Sequence, residues 1–149
     1  MMGTATRPLQ WTANSAMDEL IEELRELNQP VPVPLELPDD DHLVEVQEAL
    51  FISLDNDFRE FMLTVSDVVY GRFEPVTASD PTSHTYLPEV AASAWDAGLP
   101  RDLVPLCENQ GNYYAVTEEG EVQYWEEGVN SGETWETVWY WVRDVWLKS

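Results

Sequence analysis

The sequence holds one cysteine, two histidines and only seven Lys and Arg in 149 residues, and each shortage removes a class of chemistry. A lone Cys107 permits neither an intramolecular disulfide nor a cysteine-based zinc site, and it suits a reducing cytoplasm. Seven scattered basic residues form no patch for nucleic acid. No run approaches the ~18 apolar residues of a membrane span, and Met1-Met2-Gly3-Thr4-Ala5-Thr6-Arg7-Pro8 lacks the apolar core of a signal peptide. A phosphate-binding glycine loop is missing too. The expectation is a soluble cytoplasmic protein with no nucleic-acid or membrane partner.

Acid is what the chain has in excess: 29 Asp and Glu give a formal net charge of -22. Area scaling predicts roughly 7,800 Å² of folded surface, so a half-interface of about 800 Å² carries about two net negative charges. Nearly any face is therefore acidic, which repels nucleic acid and anionic membrane and steers basic proteins inward at modest salt. Charge alone would serve solubility equally well. The 44% hydrophobic content, with seven tryptophans and six tyrosines, is ample for one core.

The centre of the pattern is Gly111-Asn112-Tyr113-Tyr114-Ala115-Val116-Thr117-Glu118-Glu119-Gly120-Glu121-Val122-Gln123-Tyr124-Trp125, two strands joined by a turn. In the second strand Val122 and Tyr124 share one face, and Glu121, Gln123 and Trp125 the other. Residues 1–13 are expected to be a flexible arm ahead of a single domain over 14–149. Ser15-Ala16-Met17-Asp18 has the spacing of a capping box, with Met17, Leu20, Ile21, Leu24 and Leu27 recurring behind it. Pro30, Pro32 and Pro34 end that helix in an extended linker. Pro38-Asp39-Asp40-Asp41 opens a second helix with Leu43, Val46 and Leu50 inward, and Asp55 caps a third carrying Phe58, Phe61, Met62 and Val65. The triple aspartate fits a helix start better than a metal site.

Val68 to Val76 is predicted to be a strand with an irregularity at Gly71, leading into a mobile loop through Asp80-Pro81 to His84. A short helix runs from Pro88 to Ala97, Leu103 to Glu108 forms another strand, and Thr134 caps a last helix with Trp135, Val138, Trp139, Val142, Val145 and Trp146 on its stripe. The fold class is α+β: an antiparallel meander of about four strands packed against several helices.

Catalysis finds little support. Cys107 lies in an apolar strand, as an inert core thiol does. His42 stands among acids and His84 in a polar loop, leaving a Cys107 or His84 hydrolase as the weakest reading. Asp55-Asn56-Asp57 lacks the glycine and distal glutamate of a calcium loop, and paired carboxylates are too numerous to single out any pair. No cofactor is implied. The candidate partner-binding residues are Glu118, Glu119, Glu121, Trp125, Glu126 and Glu127, where acids surround a large aromatic anchor. Burial of Trp125 beneath the last helix is the alternative.

Three segments, in this order, resemble the SUKH superfamily, which includes relatives of a fungal cell-wall synthesis regulator and many bacterial immunity proteins of polymorphic toxin systems. They are Pro38 to Leu63 with its Phe58-Arg59-Glu60-Phe61-Met62-Leu63 helix, Gly111 to Trp125, and Trp135 to Leu147; together the likeness spans about residues 36 to 147. Asp55 replaces the proline usual in that family, and Val65-Ser66-Asp67-Val68 lacks its Asn-Gly-Gly-like turn. The resemblance implies a non-enzymatic α+β domain that binds protein, often a secreted nuclease toxin. The expected partner is a basic protein, possibly such a toxin; a housekeeping scaffold of the cell-wall regulator type and a homodimer are the alternatives.

Overall fold

The computed structural model describes residues 13–149. Apart from Ala13, the expected N-terminal arm lies outside them. Helix α1 (Ala13–Leu27) starts two residues before the predicted cap at Ser15, so Ser15 is inside the helix rather than at its boundary. Its inward residues Ala16, Leu20 and Leu24 are buried at four-residue spacing. The proline linker then returns the chain to α2 (Asp40–Leu50).

Helix α2 begins where its acids predict. Asp39 Oδ1 accepts the His42 N–H at 2.9 Å, and His42 Nδ1 accepts the Asp39 N–H at 3.0 Å. His42 thus takes the glutamate's place in a capping box, a structural task that uses the lone pair a general base would need. Asp55 caps α3 (Asn56–Val65), its Oδ2 accepting from the Asp57 and Phe58 N–H groups at 3.0 and 3.3 Å. Helix α4 spans Leu87–Asp96 with Pro88 in its first turn.

The sheet is a four-stranded antiparallel meander, β1-β2-β3-β4, which together with the helices makes the fold α+β. Strands β1 (Val104–Asn109), β2 (Asn112–Val116) and β3 (Val122–Glu126) match the predicted runs. The fourth strand does not: β4 is Val129–Trp135, and the predicted Val68–Val76 strand contains only isolated bridges, Tyr70 to Phe73 and Pro75 to Cys107. Gly71 at φ +63° turns that segment back on itself, and the proline at position 75 removes a ladder donor.

Two tight turns fix the register. Gln110-Gly111 and Glu127-Gly128 both have positive φ at both central residues, the type I′ geometry that matches strand twist. The Glu108 and Asn112 side chains brace them, accepting from the Gly111 and Glu127 N–H groups. At the outer edge, Gln123 to Trp125 of β3 faces Thr134 to Asn130 of β4, so β4 bulges. There the Gly132 and Glu133 N–H groups donate to Asn130 Oδ1 and Ser131 Oγ of their own strand, so these two edge donors are occupied.

One face of the sheet, through Tyr114, Val116, Val122 and Tyr124, meets the main core. The chain's last helix lies between that face and α3. It is α5 (Val138–Trp141), running on as a single π-helical turn over Val142–Trp146. Its cap is Thr137, whose Oγ1 accepts the Tyr140 N–H, and not Thr134, which belongs to β4 together with Trp135. Trp141 joins the layers, its ring centroid 5.4 Å from Tyr114, 6.2 Å from Phe73 and 6.5 Å from Phe61. Trp146 Nε1 donates to the Tyr70 carbonyl, whereas the buried Nε1 groups of Trp139 and Trp141 have no hydrogen-bond partner. The Asp57 carboxylate is near enough to Trp139 Nε1 for the indole dipole to favour its charge, but outside hydrogen-bonding geometry.

The loop predicted to be mobile is tied down. Thr77 N–H donates to the Thr85 carbonyl and Leu87 N–H to the Thr77 carbonyl, both at 2.8 Å, and Asp80 Oδ1 accepts from the Thr82 N–H and hydroxyl.

Candidate functional site

Of the predicted partner-binding residues, Glu121 and Trp125 lie on the second face of the sheet. Ala115 is covered there by Ala94, Leu99 and Leu103, with Trp95, Tyr113 and Trp125 packed around them. Trp125 is therefore half-buried against the end of α4 and the 97–103 loop, on the side of the sheet opposite the last helix. The alternative of burial beneath that helix is therefore not what is found: other elements cover Trp125, and only in part. A row of polar contacts orients it. Trp125 Nε1 donates to Gln123 Oε1 at 3.0 Å, and Gln123 Nε2 donates to Glu121 Oε1 at 3.1 Å. Side chains two apart on a strand share a face, which is why this row forms.

The acids do not make one cluster. Glu118 and Glu119 sit exposed in the β2–β3 turn, while Glu126 and Glu127 are exposed at the far end of β3. Five residues of strand separate the two pairs by about 17 Å. Trp125 stands between them. On one side it walls a shallow depression of about 360 Å³ with Asp102, Glu118, Glu119 and Gln123; on the other it faces Ala97, Leu99, Glu127 and Gly128.

The α2–α3 loop abuts the β2–β3 turn. Gly120 has φ +93°, and a Cβ there would meet the Asp55 carboxylate at 2.7–2.9 Å. Ile52, Ser53 and Leu54 line a narrow crevice with Asp102, Thr117 and Glu118. Beside them stands a residue the sequence pattern did not single out: Phe51, 87% exposed.

A larger cleft, about 570 Å³, lies between α4 and β1, with Arg72, Glu74, His84, Glu89, Glu108 and Tyr113 among its walls. His84 Nε2 and Glu74 Oε1 are 3.1 Å apart, both side chains mostly exposed. Cys107 does not supply a nucleophile for this histidine. Its thiol is buried, its hydrogen bond goes to the Glu108 carbonyl at 3.5 Å, and burial pushes its pKa up to about 12. Among the described residues no group of three or more His, Cys, Asp and Glu has the arrangement of a metal site, and no helix is long and apolar enough to cross a membrane.

Comparison with known proteins agrees with this architecture. The sequence model of the SUKH_5 family, described as SMI1-KNR4 cell-wall, matches residues 17–147. The crystal structure of a protein from Pseudomonas syringae pv. tomato is 61% identical, aligning over 89% of this chain and 99% of that one with a TM-score of 0.87. No curated protein matches.

Proposed function

This chain belongs to the SMI1-KNR4 cell-wall family, and from that membership we propose that it is a non-enzymatic protein-binding domain of the immunity type, capturing a basic toxin in the cytoplasm and neutralising it by occlusion. The observation that carries this reading is the set of uncompensated carboxylates around a half-buried tryptophan. Among the described residues, the arginine ion pairs use Asp40, Asp67 and Asp144. Glu118, Glu119, Glu126 and Glu127 take part in none of them, and they flank Trp125 in a chain of net charge -22.

Physical chemistry supplies the rest. Like charges left facing solvent destabilise the free protein slightly and are relieved when a cationic surface docks. Trp125 and Tyr113 offer large, rigid apolar area inside a charged rim, the composition of a recognition patch. Inhibition would follow from covering the toxin's substrate-binding basic face, with no bond made or broken.

The test is co-expression with the neighbouring reading frames, capture on a tagged copy of this chain, and washing at low and then high salt. The reading expects one basic protein, held near stoichiometrically and inactive until it is stripped away. Several unrelated proteins held weakly would favour a scaffold of the regulator type, and no retained basic protein would end the immunity reading.

A further inference from the structure

Phe51 ends α2 in the left-handed region, at φ +58° and ψ +33°. Helix ends of this kind ordinarily take glycine or asparagine, because a Cβ is crowded there and a bulky residue more so. The fold gains little burial in exchange, since 87% of the residue faces solvent. A large aromatic in a disfavoured conformation, exposed on a molecule with abundant core to fill, is poorly explained by stability.

The surrounding backbone is built to hold it out. The Gln47 carbonyl accepts the Phe51 N–H and also the Ile52 N–H at 3.3 Å, while Gln47 Oε1 accepts the Leu54 N–H at 2.8 Å. Arg101 Nη2 donates to the Leu50 carbonyl at 3.0 Å, and its guanidinium lies 3.7 Å from the centre of the Trp95 ring. The turn is thus fastened both to α2 and to the loop that covers Ala115. Immediately after Phe51, residues Ile52 to Leu54 border Asp102 and Glu118. Val44, seven residues earlier in α2, is also exposed, at 47%.

We propose that Phe51 is the aromatic anchor of the partner interface, with Asp102, Glu118 and Glu119 as its charged rim. The occupant is a basic protein presenting an apolar pocket edged by Lys or Arg. Charge selects this occupant over a second copy, which would bring another -22 to the same surface. The inference rests on the protein-binding reading and moves its energetic centre from Trp125 to the end of α2. An anchor whose backbone is held in a fastened turn forfeits less entropy on binding than one on a loose loop.

The experiment titrates the basic protein retained by the wild-type chain, in the capture described above, into wild type, Phe51→Asn and Phe51→Tyr by calorimetry. Thermal melts accompany each variant. Phe51→Asn should melt at or above the wild-type midpoint, because asparagine accepts the left-handed conformation, yet bind about thirtyfold or more weakly, as loss of an interface hot spot does. Phe51→Tyr should bind within about threefold of wild type, since it retains the ring. Wild-type affinity in a folded Phe51→Asn protein overturns the anchor and leaves the protein-binding reading standing. If wild type itself retains no basic protein, that reading fails first and the anchor falls with it.

Discussion

Replacing Gly120 with alanine probes the contact that joins the central hairpin to the helical layer. Two costs meet at this position. The backbone has φ +93°, and an L-residue with a Cβ held at positive φ costs about 1–2 kcal/mol. The new Cβ would also lie 2.7 Å from Asp55 Oδ1 and 2.9 Å from Oδ2, closer than real Cβ contacts come. Asp55 is short and has few ways to move. Displacing it withdraws Oδ2 from the Asp57 and Phe58 N–H groups at the start of α3. A lost N-cap costs about 1 kcal/mol. Gly120→Ala should therefore destabilise the fold by roughly 2–3 kcal/mol and lower the thermal midpoint by roughly 5–10 °C.

A double-mutant cycle with Asp55→Ala in urea separates the two costs. With the carboxylate gone, Gly120→Ala should retain only its backbone strain, leaving a coupling of about 1 kcal/mol between the sites. A Gly120→Ala protein within about 0.5 kcal/mol of wild type, or strictly additive single effects, would refute the reasoning.

Other outcomes follow from the buried and desolvated groups. With its thiol pKa at about 12, Cys107 should resist a thiol reagent at pH 8 in the native protein and react once per chain in denaturant; fast native labelling would contradict its burial in β1. Burial, then the neighbouring Asp55 charge, raises the Asp57 carboxyl above its ordinary value. Its ionised form therefore weakens the fold, and that loss is relieved as pH falls through the raised folded pKa. Asp57→Asn should accordingly be more stable than wild type at pH 7 by a few tenths of a kcal/mol, since the site is partly solvated. The difference should vanish near pH 3, and a variant less stable than wild type at pH 7 would reverse the sign.

The legible parts of the fold were those whose signals are local. Asp39 and Asp55 at helix starts, Gly120 in a turn and the alternation of Val122 and Tyr124 depend on neighbours a few residues away. Strand β4 lacks that kind of signal. Its Val129 to Thr134 are all exposed, so no buried face imposes an alternation and only its pairing with β3 makes it a strand. Trp135 has a spacing to Val138, Trp139 and Val142 that suits a 3.6 period and points to the last helix. In the structure it ends β4 and packs on Tyr114 with ring centroids 5.7 Å apart, and the helix it was meant to open shifts to a π-helical turn, which that period does not describe.

The candidate surface divides the same way. Alternation correctly put Glu121, Gln123 and Trp125 on one face, but strand length set the acidic pairs about 17 Å apart, which a linear run of glutamates conceals. The exposure of Phe51 has no local signal: it follows directly on the Leu43, Val46 and Leu50 stripe, and only the tertiary structure shows it uncovered.

Capture of a basic partner by an acidic face is tested most directly by the association rate of that partner with this chain, measured by stopped flow across ionic strength. Steering by surface charge is screened over about 8 Å at physiological salt, so the rate should fall at least tenfold between about 20 and 500 mM salt while the dissociation rate changes little. Neutralising Glu118 and Glu119 together should flatten that slope. An association rate independent of salt would contradict the account.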